Sequence, residues 1–136
     1  MAAKGKKVEV PRRDAPSYLA KSAEFQAAAE RALGEGQRDA AMLNAIHAAI
    51  SAADAVTVAL AGVRSRDPDH QRAADLLDEV VGGSGDGKTR VTQLRGLLER
   101  KNAVEYESRR TRAKEAADSV KRARRIVDWA RDIVAG

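Results

Sequence analysis

The stretch Leu94–Glu107, LRGLLERKNAVEYE, decides how this chain is read. Taken as a helix, its apolar line starts at Val91 and passes through Leu94 and Leu98. It then continues into Asn102 and Tyr106, in the same steps of three and four residues that keep side chains on one helix face. Arg100, Lys101 and Glu105 flank the line within one turn. A core-facing stripe that turns polar needs partners for each polar group, or water and a ligand. A frayed helix end with its Lys, Glu and Tyr heads in solvent satisfies the same pattern.

Outward from that stretch, the composition points to helices. The aromatic share is only 3% while alanine is abundant, which favours closely packed helices over a sandwich or barrel. The 136 residues suffice for one domain with its own core. With no cysteine there is neither a disulfide framework nor a thiolate metal site, which is compatible with the reducing cytoplasm. No unbroken apolar run reaches the roughly 18 residues of a membrane span, and the N-terminus lacks the apolar segment of a secretory signal. The expected setting is cytoplasmic, without a membrane partner.

In chain order, residues 1–15 read as a flexible basic N-terminal arm, closed off by Pro11 and Pro16. Residues 16–136 read as the helical domain. Ser17 is the expected cap of a first helix carrying Tyr18, Phe25, Ala29 and Ala32/Leu33, ended at Gly34-Glu35-Gly36. A long second helix from about Asp39 to Val63 places Leu43, Ile46, Ile50, Ala53 and Leu60 on a core line. Beside it runs a polar line of Asn44, His47, Ser51 and Asp54, which suggests a flank facing a groove or a second subunit.

Asp67 and Pro68 are the expected N-cap and first position of a third helix bearing Ala73/Ala74, Leu77 and Val80/Val81, with His70 in its first turn. GGSGDGK then reads as a loop before the organising helix, and SRRTR as a turn. A final helix from about Ala113 to Val134 turns Ala116, Val120, Ala123, Val127, Ala130 and Val134 inward. Five helical segments with short joins and no strand predict an all-α, up-and-down bundle of four to five helices.

Gly82–Thr89 matches the phosphate-binding loop pattern GxxxxGK[ST] at every specified position. That chemistry needs a preceding strand and a parallel sheet, whereas DHQRAADLLDEVV ahead of it is helical in pattern. The loop is therefore read as a glycine linker that binds no nucleotide in that manner.

Charge is segregated. Residues 1–13 sum to +4, residues 14–99 to −4, residues 100–125 to +6 and the last eleven to −1. Positive charge thus begins where the organising stripe turns polar, which fits a phosphate-rich partner. A solvated arginine-rich surface gives the same count.

Three segments, in order, resemble the HEPN family, the helical domains named as higher-eukaryote and prokaryote nucleotide-binding. NAIHAAISAADAV (44–56) is similar to its second-helix signature, and DPDHQRAADLL (67–77) to its short third helix opened by a His. RKNAVEYES (100–108) followed by RAKEAADSVKRARRIVDWA (112–130) resembles its Arg-polar-x-x-x-His/Tyr motif and closing helix. The resemblance spans roughly 17–134. It implies an HEPN-like bundle that dimerises with its motif helices meeting across a cleft.

In ribonuclease members an Arg and a His cut RNA without a metal or other cofactor, and many are toxins paired with a nucleotidyltransferase-like antitoxin. Carried over, the Arg falls on Arg100 or Lys101, the polar residue on Asn102 and the His on Tyr106. A phenol is a poor base at neutral pH, so the Tyr supports the fold more than the reaction. His47 or His70 could supply an imidazole instead, with Arg or Lys stabilising the phosphate charge. Equally, either could be a satisfied structural residue. Two histidines without an HExxH-type carboxylate spacing make no metal site.

The expected catalytic set is thus Arg100, Lys101, Asn102, Tyr106 and His47. The expected ligand- or RNA-binding set is Glu105, Asp54, His70, Arg109, Arg110 and Arg112, with no metal ligands. Two functions stay open: a metal-independent endoribonuclease, the toxin-type half of a toxin–antitoxin or defence pair, or a non-catalytic dimeric scaffold that binds a nucleotide or a partner subunit.

Overall fold

A computed structural model describes residues 6–83 and 85–136 of the chain. Its elements are β1 (Lys7–Glu9), a 3-10 turn (Arg12–Asp14), α1 (Ala15–Gly34), α2 (Arg38–Ala61), β2 (Val63–Ser65), α3 (Gln71–Val81), α4 (Gly85–Tyr106) and α5 (Ala113–Ala135). The expected all-α bundle of five helices is what forms. α2 is its axis: it packs against α1, α3, α4 and α5, whereas α1 meets only α2 and α5 among the helices.

Small residues explain that central place. Ala41, Ala45, Ala48, Ala49, Ala52, Ala53 and Ala55 of α2 are all buried, so neighbouring helices approach its backbone closely. The buried Ser22 hydroxyl of α1 donates a 2.8 Å hydrogen bond to the Ala48 carbonyl, a contact possible only across such a narrow gap. Ile46 and Val56 join Leu77 of α3, Leu94 and Leu97 of α4 and Ile126 and Val127 of α5 in the core. Each such fully buried side chain contributes roughly 1.5–3 kcal/mol. α2 is long and apolar enough to cross a membrane, but 61% of its apolar window is covered by the rest of the chain, as befits a core helix.

Several local expectations are corrected. The chain has strands after all: β1 pairs antiparallel with β2, Val8 opposite Arg64, and the Val10 N–H donates to the Gly62 carbonyl at 2.9 Å. Residues 6–14 are thereby tied to the end of α2 instead of belonging to a flexible arm; residues 1–5 lie outside the described residues. Three-residue strands were invisible because they fall short of the four or more residues over which alternation reads as a strand.

The first helix starts at Ala15, with Pro16 in its first turn, because the 3-10 turn leads straight into it. Asp67 caps a turn rather than α3: it accepts the Asp69 N–H at 2.9 Å, and Asp69 in turn accepts the Gln71 N–H at 3.0 Å. His70 therefore sits immediately before α3. Leu60, placed on the α2 core line, is 45% exposed because α2 ends before a fourth helix can cover it.

α4 begins at Gly85, inside the stretch expected to be a loop. Gly87 makes this possible: a Cβ there would stand 2.9 Å from Val81 Cγ2, so only glycine lets the first turn of α4 fold back onto the end of α3. Among the described residues nothing resembles the strand and parallel sheet of a phosphate-binding loop; the glycines join two helices.

Candidate functional site

Two consecutive residues of α4 face opposite ways. Arg100 Nη1 donates to Asp118 Oδ2 at 2.9 Å and to the buried Ser119 hydroxyl at 2.6 Å, on the α5 side. Lys101 turns to the α3 side and pairs with Glu105, one turn on. A helix rotates about 100° per residue, so neighbours on its surface cannot share a groove once the core face lies between them. Of the two candidates for the motif's basic position, Lys101 is the one that faces the histidines.

A groove of about 580 Å³ runs along this side, between the Pro68–Gln71 turn and α4. His70, Asp69 and Gln71 line one wall; Leu98, Glu99, Lys101, Asn102 and Tyr106 line the other. The walls are tied together by Gln71 Nε2, which donates to the Arg95 carbonyl at 3.3 Å. Tyr106, 78% exposed, stands at the end of α4 as the mouth of the groove.

His47 reaches the same neighbourhood from α2, its ring 5.5 Å from that of Phe25 and tilted by 34°. It is half-buried, and that burial, then Lys101 and His70, push its pKa below the ordinary histidine value, with Glu105 opposing. His70 is lowered in the same way, by burial first and then by Lys101, against Glu105 and Asp69. Burial and the Lys101 ammonium thus both favour the neutral, proton-accepting form of each imidazole.

Of the expected set, His70, Lys101, Asn102 and Tyr106 line the one groove, Glu105 joins them through its ion pair with Lys101, and His47 lies behind them without lining it. Asp54 lies elsewhere. It is buried two turns beyond His47, 3.5 Å from Arg64 Nε, and burial raises its pKa to about 7 despite Arg64 and Lys21. Arg64 and Lys21 each lie 5.4 Å from the ring of Tyr18.

Arg109 and Arg110 belong to the turn before α5. Arg109 pairs with Glu115 at 3.3 Å, and Arg110 pairs with Asp39 at the start of α2. Arg112 is exposed on the α5 side. Asp69, Gln71 and Glu99 were not singled out in the sequence; for the first two the one available signal was adjacency to His70. Among the described residues no group of three His, Cys, Asp or Glu side chains is placed to hold a metal ion.

Comparison with curated proteins and with solved structures gave no match. The family model for the HEPN domain matches residues 15–133, which takes in all five helices but for the last two residues of α5 and every residue of the groove. The chain belongs to the HEPN domain family.

Proposed function

We propose that this protein acts on RNA as a metal-independent endoribonuclease, the toxin-type member of a toxin–antitoxin or defence pair, using the groove between α3 and α4. Its family is RNA- or nucleotide-related and often ribonuclease-like. One observation supports the reading of the reaction: His70, Lys101, Asn102 and Tyr106 line one solvent-open groove, and after burial it is the Lys101 ammonium that most lowers the pKa of both His70 and His47.

In that reaction an imidazole takes the proton of a ribose 2′-hydroxyl as its oxygen attacks the adjacent phosphorus. Lys101 faces the charge that builds on the phosphoryl oxygens, and the 5′-oxygen leaves with a proton. In this reading the Tyr106 hydroxyl, a donor lining the mouth of the groove, supplies that proton. Asn102 offers an amide to the ribose or the phosphate.

HEPN domains commonly dimerise, and the exposed Asn102 and Tyr106 at the end of α4 support a homodimer in which this end meets its copy. Incubation of the purified chain with RNA in EDTA tests the proposal. Cleavage that falls at least a hundredfold in Lys101→Ala and in His47→Ala supports it. A wild-type chain that leaves RNA intact under these conditions overturns the enzymatic reading.

A second reading has its own observation. Lys101 is already neutralised by Glu105, which favours a non-catalytic dimeric subunit that binds a nucleotide or partner through the same groove. Tight RNA or nucleotide binding without turnover distinguishes it from the first.

A further inference from the structure

The other flank of α4 carries a second, differently built groove. Two hollows of about 420 and 430 Å³ lie end to end between α4 and α5, sharing Asp118 and Arg122. Their cations are Lys88 and Arg100 from α4, Arg112 at the start of α5, and Lys114, Arg122 and Arg125 along it. Only two carboxylates, Glu115 and Asp118, line the same space. Glu115 is engaged by Arg109 from outside, and Asp118 is shared by Arg100 and Arg122, each at 2.9 Å.

Gly96 of α4 stands against Arg122: a Cβ at that position would lie 3.1 Å from Arg122 Nη1, so glycine there gives the guanidinium room beside α4. From Arg112 to Arg125 the helix advances roughly 20 Å. Six cations against two carboxylates leave this track net positive, and guanidinium forks suit phosphate oxygens better than scattered lysines do.

We propose that the α4–α5 groove is a docking track for the phosphodiester backbone of single-stranded RNA, separate from the histidine groove on the opposite flank. The assignment rests on the RNA-directed reading above and adds where the strand is held. The track positions the strand through its phosphates and reads no base, so it sets affinity and salt dependence while Lys101 and the histidines act on the bond. The glycine-rich run at the start of α4 then has a part outside nucleotide hydrolysis, since it brings Lys88 to one end of the track.

The test is fluorescence anisotropy of a labelled single-stranded RNA oligonucleotide over a range of salt concentrations. Lys114 and Arg125 are exposed and form no ion pair among the described residues, so Lys114→Ala with Arg125→Ala leaves the fold intact, checked by the melting curve. The slope of log affinity against log salt is expected to fall by about 1.4, at about 0.7 per phosphate contact on single strands. Lys101→Ala with His47→Ala is expected to change it by at most about 0.7. If cleavage is observed, the track variant raises KM and leaves kcat unchanged.

Wild-type binding with an unchanged slope in the track variant overturns the track and leaves the RNA reading standing. Wild-type protein that shows no salt-dependent RNA binding overturns both. Poly-glutamate competing as well as RNA does overturns the track in favour of an acidic protein partner.

Discussion

Asp39, at the start of α2, accepts a 2.9 Å hydrogen bond from the Thr111 backbone N–H, across 72 residues of sequence, and pairs with Arg110 beside it. The turn between α4 and α5 is thereby pinned to the axial helix. Hydrogen bonds from Thr111, with Arg110, hold the Asp39 carboxyl well down, at about 2. A depressed carboxylate contributes stability that is fully present above its unfolded value and is lost as pH falls through the folded one. The carboxylate is 36% exposed, so after screening by solvent the contribution is about 1 kcal/mol. Asp39→Asn is expected to lower the melting temperature at pH 7 and to match wild type near pH 2; equal melting at pH 7 would refute the pin.

Asp54 has the opposite sign. Burial raises its pKa to about 7, so its charged form works against folding, and stability is lost as pH rises through that value. Asp54→Asn is expected to raise the melting temperature at pH 8 more than at pH 5. Arg64 is about a third exposed and can re-solvate when its partner is lost. A variant less stable than wild type at pH 8 would show that the ion pair outweighs desolvation.

The two histidines predict acid sensitivity. Their folded pKa values lie below 6.5, so the unfolded chain takes up more protons and stability falls as pH drops from about 6.5 through the lowered values. Because Asp54 gains stability over the same range, the loss is read in an Asp54→Asn background, where urea midpoints should fall between pH 7.5 and 5 and His47→Gln with His70→Gln should flatten the fall. Any cleavage activity should fade over the same range as the bases become protonated.

Arg100 and Lys101 should separate stability from activity. Arg100→Ala leaves the buried Ser119 hydroxyl without its 2.6 Å partner and is expected to cost about 1–3 kcal/mol in denaturant unfolding. Lys101→Ala should cost only about 1 kcal/mol, as loss of a partly buried helix pair does, yet abolish what the groove does to RNA. The reverse pattern would place the functional cation on the α5 side.

Gly87→Ala puts a methyl 2.9 Å from Val81 Cγ2 and is expected to destabilise by about 1–3 kcal/mol. Lys88→Ala should leave the melting temperature within a degree or so and should not alter magnesium-dependent ATP binding, if any is measured. A variant that lost such binding would reopen the phosphate-loop reading of Gly82–Thr89.

The helices were legible because Ala-rich α2 and the Val91–Leu94–Leu98 line of α4 carry the helical period over several turns. The same arithmetic found that Asn102 and Tyr106 end a buried stripe at an open groove. It could not decide between Arg100 and Lys101, because the choice depends on which neighbour packs on which side. Nor could it find that His47 of α2 and His70, 23 residues on, both feel the charge of Lys101, or the strands, whose pairing follows from α1 lying back along α2. Asp54 was misplaced for a related reason: it shares the helical line of His47, but Arg64 and Tyr18 cover that end of it.

The β1–β2 ribbon has a consequence for the order in which the chain assembles. Lys7 and Ser65 must find each other across about 60 residues, and closing so long a loop is entropically costly for an unstructured chain. Once α1 and α2, joined by only three residues, have docked as a hairpin, their outer ends already lie side by side and most of that search is over. The ribbon is therefore a late clasp. In hydrogen exchange the amides of Val10 and Arg66 should be released early, well before those in the middle of α2.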